Sequence, residues 1–248
     1  MNQEQVSAEP MGELGRLGGV LFDPKLAFAD IAARPVRWWV PLLLLGLIAA
    51  AFTAAFAERV GWERFFNQQW QQAAARDERL SRMSAEQKEQ IIRQQATVTK
   101  WAAPAIAVVE FGVLALGLAG VFLFVFNILA GSQLTFRPVF AITSYSLLPY
   151  AVAMLLAMGL MFVQAPEEFD LVNPVMSNLG VFFDPVESPV VFALTKSLDV
   201  FTVWALLLLA TGFSAAGRRL SWGKAMTWVV ITWVLFVVGK VGWVALWT

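Results

Sequence analysis

Apolar residues gather along the chain in blocks of about twenty, separated by polar stretches. A helix of about that length crosses roughly 30 Å of hydrocarbon. Five such blocks are predicted as transmembrane helices, at residues 38–57, 101–130, 139–163, 193–213 and 224–247. Trp38, Trp39, Trp101, Trp222, Trp243 and Trp247 fall near their ends, as interfacial anchors do. Pro149 in the third block should kink it and free a carbonyl that Ser146 or Tyr145 would help satisfy. Small residues four apart (Ala50/Ala54, Ala115/Ala119, Ala153/Ala157) permit close helix approach.

The polar stretches carry their own patterns. The opening "MNQEQVSAEPMGELGRLGGV" has neither the basic start nor the apolar core of a cleavable signal peptide. Within the predicted cytoplasmic segment 1–37, "DPKLAFADIAA" at 23–33 reads as a short helix, with Asp23 as N-cap and Pro24 at the first helical position. Leu26, Phe28 and Ile31, flanked by Lys25, Arg34 and Arg37, lay it along the membrane surface; the competing reading is a mobile tail. In 58–100, Trp62, Phe65, Phe66 and Trp70 recur at helical spacing, and Ser84 with Gln87 forms a capping-box pattern. The expectation is an extramembrane helical hairpin between the first two spans. Its Gln-rich charged face is either solvated or a partner contact.

Composition sharpens this picture. The chain of 248 residues is 58% hydrophobic and 15% charged, with a mean hydropathy of +0.65. Soluble domains run at about 45–50% apolar and about 25% charged. The class is therefore all-α, an integral membrane helical bundle. A net charge of zero gives no electrostatic case for nucleic acid. Without Cys or His, thiol nucleophiles, imidazole catalysis and most zinc or iron sites are excluded, so neither cofactor nor metal is expected. No phosphate-binding glycine loop, dinucleotide fingerprint or zinc-protease helix is found. The expectation is a protein that is not an enzyme.

Charge in the loops sets the orientation. Lys25, Arg34 and Arg37, then Arg137, then Arg218, Arg219 and Lys224 fall on one side. The loop at 164–190 has Glu167, Glu168, Asp170, Asp184 and Glu187 and no Lys or Arg. The positive-inside rule puts the N-terminus in the cytoplasm and the C-terminus outside.

"SLDVFTVWALLLLATGFSAAGRRLSWGKAM" followed by "WVLFVVGKVGW" resembles the C-terminal half of the Yip family (Ypt/Rab-interacting membrane proteins), in its bacterial branch. The features are Asp199 and Phe201 before Trp204, the Leu-rich run to Gly212, a short basic turn and a final span holding a lysine. "LFDPKLAFADIAARPVRWWVPLLLL", "MSAEQKEQI" and "LTFRPVFAITSYSLLPY" are similar too. The resemblance implies five spans and a cytoplasmic N-terminus, in a bacterial inner membrane. The small-GTPase binding associated with eukaryotic members is not expected here, because the cytoplasmic N-terminal region is short.

Four ionisable residues fall inside the predicted spans: Glu110, Lys196, Asp199 and Lys240. Counted along helices from the outer ends, Glu110 and Asp199 lie about 13 Å in and Lys240 about 12 Å. Intramembrane charges usually face the bundle and pair, so Lys240 is the expected counter-ion of Glu110, Asp199 or both. The cluster then reads as an ion-pair network that fixes packing, as a polar cavity for an ion, proton or lipid headgroup, or as charges that reach water. The first reading suits a scaffold or adaptor that organises membrane proteins or lipids. The second suits a small transporter, channel or lipid-moving protein. Expected partners are the bilayer, other membrane proteins or further copies of the chain.

Overall fold

The computed structural model describes residues 10–34, 36–74, 77–217 and 220–247. Arg218 and Arg219 of the basic loop, the first nine residues of the N-terminal segment and Arg76 of the outer loop lie outside the described residues. Among those described the helices are α1 (Glu13–Phe22), α2 (Pro24–Ala33), α3 (Trp39–Arg59), α4 (Trp62–Ala74), α5 (Glu78–Ser81) and α6 (Ala85–Phe124). A π-helical turn, Val125–Leu129, follows α6. Then come α7 (Phe136–Ser146), α8 (Leu148–Val163), a 3₁₀ turn (Leu179–Phe182), α9 (Pro189–Lys196), α10 (Val200–Ala216) and α11 (Trp222–Leu246). The described residues contain no strand, only an isolated bridge between Asn178 and Asp199.

Four helical stretches are long and apolar enough to cross a membrane: Trp39–Arg59, Ala85–Leu129, Phe136–Val163 and Trp222–Leu246. The fourth predicted block does not form one helix. It divides into α9 and the 17-residue α10, with Ser197, Leu198 and Asp199 between them. All six tryptophans near the block ends are exposed, from 39% at Trp38 to 77% at Trp101. That suits rings which sit between lipid and water.

Local signals explain several boundaries. Asp23 caps α2 by accepting from the Leu26 N–H at 3.5 Å, and Pro24 opens the helix. Ser84 and Gln87 form the reciprocal capping box at 3.1 and 3.2 Å. From there α6 runs unbroken through Pro104, so the second half of the outer loop continues directly into the span. The first half does not. Gly61, at φ +90°, turns the chain between α3 and α4 in a conformation that favours glycine.

The chain forms two compact units. The first comprises Met1–Pro41, Ala115–Leu148 and Ala205–Thr232; the second comprises Leu42–Leu114, Pro149–Trp204 and Trp233–Thr248. In the first, Phe213 meets Phe126 at 4.6 Å and Phe122 at 5.0 Å between ring centroids. Residues 139–146 of α7 are buried without a break, which encloses that helix on every side. A Cβ on Gly212 would overlap Ile142 Cγ2 and come within 3.0 Å of Phe28 Cδ1, so α10, α7 and α2 meet tightly there.

The second unit packs Phe56, Met161 and Phe169 together, with Trp62 and Phe65 against them. Arg64 pairs with Glu167 at 2.9 Å, and Lys100 with Glu58 at 2.9 Å. The Arg64 guanidinium holds the exposed Glu167 carboxyl below the usual carboxylate range.

The third predicted span is interrupted as expected, but by a restart. α7 ends at Ser146, Leu147 turns, and Pro149 sits in the first turn of α8, where its missing N–H is harmless. Neither proposed side chain serves the freed carbonyl. The Tyr145 hydroxyl donates elsewhere, and the buried Ser146 Oγ has no hydrogen-bond partner among the described residues. Of the predicted small-residue pairs, Ala115, Ala119 and Ala157 are buried, whereas Ala54 is exposed.

Candidate functional site

Three of the four candidate residues belong to one neighbourhood of the second unit, at the break between α9 and α10. Lys196 is the last residue of α9, where a cation complements the negative end of the helix. Its ammonium lies 5.6 Å from the Phe192 ring centroid. Asp199 immediately precedes α10 and caps it: Oδ1 accepts from the Phe201 N–H at 2.9 Å and the Thr202 N–H at 3.1 Å. The other oxygen, Oδ2, accepts from the Ser177 hydroxyl. The Val200 N–H donates to the Ser177 carbonyl at 3.1 Å, tying this segment to the cap.

Lys240, on α11, reaches the same place and donates to Ser197 Oγ. The expected counter-ion pairing is therefore not the arrangement found. Among the described residues no ion pair joins Lys240 to Asp199 or Glu110. The physical reason lies in the break. Depth counting assumes an unbroken helix, whereas Asp199 stands at a helix start, where free backbone N–H groups receive its charge. Glu110 is exposed on α6, and among the described residues it makes no hydrogen bond or ion pair with the other three.

Two results follow for Asp199. Asp199→Ala should cost about 1 kcal/mol, the value of a lost cap. Asp199→Asn, which still accepts from the α10 amides, should cost less; thermal unfolding in detergent measures both. A loss several times larger in both variants would mean that the charge rather than the cap matters.

A second polar cluster, in the first unit, is one that sequence reasoning misses. Arg16 on α1 bonds through Nε to Asp30 Oδ2 at 2.7 Å and through an Nη to Glu13 Oε1 at 2.8 Å. Arg34 holds the other Asp30 oxygen at 2.9 Å. Glu13 Oε2 accepts from the Tyr145 hydroxyl at 2.7 Å, which ties α1 to α7. The Arg16 and Asp30 side chains are only 7% and 8% exposed. Burial alone would favour discharging Arg16, but the bond to Asp30 and the charges of Asp30 and Glu13 outweigh it and raise its pKa.

Around this cluster the usual pattern is inverted: Arg16 faces inward while Leu14 and Phe22 are 85% and 87% exposed. The signal was present in the chain as Glu13/Arg16 and Asp30/Arg34, spaced three and four apart on helices. The short helix expected at 23–33 is α2; α1 precedes it, and both contact α7.

The described residues hold no group of three or more acidic side chains fit for a metal ion. Two clefts of about 340 and 630 Å³ lie beside α4, lined by residues such as Gln68 and Glu168 in one and Asn67 and Thr97 in the other. None of the four candidate residues lines either cleft.

Comparison with known proteins bears on this architecture. Among curated proteins and solved structures, none matches the chain. The family profile of the Yip1 domain matches residues 18–243, which takes in α2 through most of α11. The chain, a multi-pass membrane protein built of apolar helices, belongs to the Yip1 domain family.

Proposed function

We propose that the protein is a non-enzymatic scaffold or adaptor that organises other membrane proteins or lipids. The observation that carries this reading is Asp199. Its two oxygens are taken up by the α10 amides and by Ser177, so the carboxylate builds the fold and is not left free for turnover. The inward Arg16–Asp30 pair supports it in the same way. The Gln-rich α4 and the polar start of α6 offer the contact surface for partners, beside the two clefts.

In this reading α10 is the fifth span, the N-terminus is cytoplasmic, the C-terminus is outside, and the membrane is the bacterial inner membrane. Homo-oligomers and other membrane proteins are the partners; small GTPases are not. A lipid-moving role is the second reading, favoured by the half-buried Lys196 and Lys240.

Affinity purification in mild detergent or native nanodiscs, with identification of proteins and lipids together, tests the scaffold. Reproducible partners are expected, and a chain recovered alone as a monomer would overturn it. Topology is checked by introduced cysteines, since none is native. Ala74→Cys and Glu168→Cys should label with an impermeant maleimide from outside, and Ser221→Cys should not.

A further inference from the structure

Two half-buried lysines of the second unit, Lys196 and Lys240, come from neighbouring stretches, and among the described residues neither has a carboxylate in direct ion-pair contact. Lys240 donates to Ser197 Oγ, and Ser197 directly follows Lys196 in the chain. The nearby acids bond backbone amides: Asp199 caps α10, and Asp170 Oδ1 accepts from the Val172 N–H at 2.8 Å. The field of Asp170 reaches Lys196, but the repulsion of Lys196 reaches Lys240 as well. Like charges held together away from water raise the energy of both, and an anion between them removes that cost.

The donors are available. Each ammonium has three N–H groups, and one of Lys240's is used by Ser197. The rim is apolar: Leu194, Leu198 and Val200 are exposed at 48%, 42% and 63%, and Trp243 lies one turn beyond Lys240 at 64%. A soluble anion has no use for such a rim, whereas acyl chains do.

We propose that Lys196 and Lys240 together hold one phosphate-bearing anion, the headgroup of an anionic phospholipid whose chains lie along Leu194, Leu198 and Val200. Basic pockets between membrane helices take anionic headgroups in this way. The proposal rests on the lipid side of the reading above, which draws on the same two lysines; absent protein partners would overturn the scaffold alone, and absent lipid selectivity would overturn this proposal alone.

The experiment is native mass spectrometry of the full chain released from nanodiscs made with equal phosphatidylglycerol and phosphatidylcholine. Wild type should retain one phosphatidylglycerol in preference by about 30-fold, because each lysine beside an anionic lipid favours binding several-fold. The pair Lys196→Gln/Lys240→Gln should lose the preference, Lys196→Arg/Lys240→Arg should keep it, and Lys224→Gln should behave as wild type. Equal retention by wild type overturns the proposal whether or not any variant folds. Preference surviving in the glutamine pair overturns it too. A parallel titration with inorganic phosphate separates the sources: thermal protection of wild type by phosphate without phosphatidylglycerol preference would reject the lipid.

Discussion

Asp30→Ala should destabilise the protein by about 3–5 kcal/mol, the cost of stranding a buried charge. Asp30 accepts from Arg16 at 2.7 Å and Arg34 at 2.9 Å, so its loss leaves Arg16 buried beside Glu13 alone. Arg16→Met should cost less, since Asp30 keeps Arg34. The pair Arg16→Met/Asp30→Leu should then lie closer to wild type than Asp30→Ala does, because replacing both partners removes the unpaired charge. Thermal unfolding in detergent, read by tryptophan fluorescence, measures all three. If Asp30→Ala cost no more than Arg16→Met, the cluster would be wet and the helices α1 and α2 loosely held.

Gly46→Ala should cost about 1–3 kcal/mol, through overpacking that cannot relax. A Cβ there would lie 2.6 Å from the Val108 carbonyl oxygen and 3.0 Å from its Cα, so the added methyl meets backbone and not a side chain that can turn away. α3 and α6 approach at this point as closely as two helices without side chains between them can. Gly112, on α6, has nothing within 4 Å of its would-be Cβ. Gly112→Ala should therefore stabilise by about 0.5–1 kcal/mol, the ordinary gain of alanine over glycine in a helix. Opposite signs for the same substitution on neighbouring helices are the expected result; equal signs would dissolve the close contact.

Four apolar stretches and the caps of α2 and α6 are legible in the chain because each depends on residues near in sequence. Twenty apolar residues name their own helix; Asp23 before Pro24 and Ser84 before Gln87 name their own starts. The short helix α1 was not legible, because Gly12, Gly15, Gly18 and Gly19 lower helix propensity and Glu13 and Arg16 look like solvated charges. Tyr145, 132 residues away, and Asp30 bind the polar side chains of that segment inward. The break at Ser197 was hidden for a related reason. A helix start marked by Asp199 and a charge inside a span have the same local sequence, and the segment that distinguishes them, with Ser177 on it, comes from a distant loop. Gly46 likewise carries no mark of its own; its meaning lies in the Val108 backbone opposite.

Taken as the fifth span proposed above, the 17 residues of α10 have a consequence for the membrane itself. A helix of that length rises about 25 Å, against roughly 30 Å of hydrocarbon. Such a mismatch is met by thinning the bilayer locally, at a fraction of a kcal/mol per ångström. Lipids with shorter chains relieve that deformation and should gather around the protein, while thick, ordered bilayer should exclude it. The gap between α9 and α10 would thus give the chain a preference for membrane thickness, a means of lateral sorting that needs no partner.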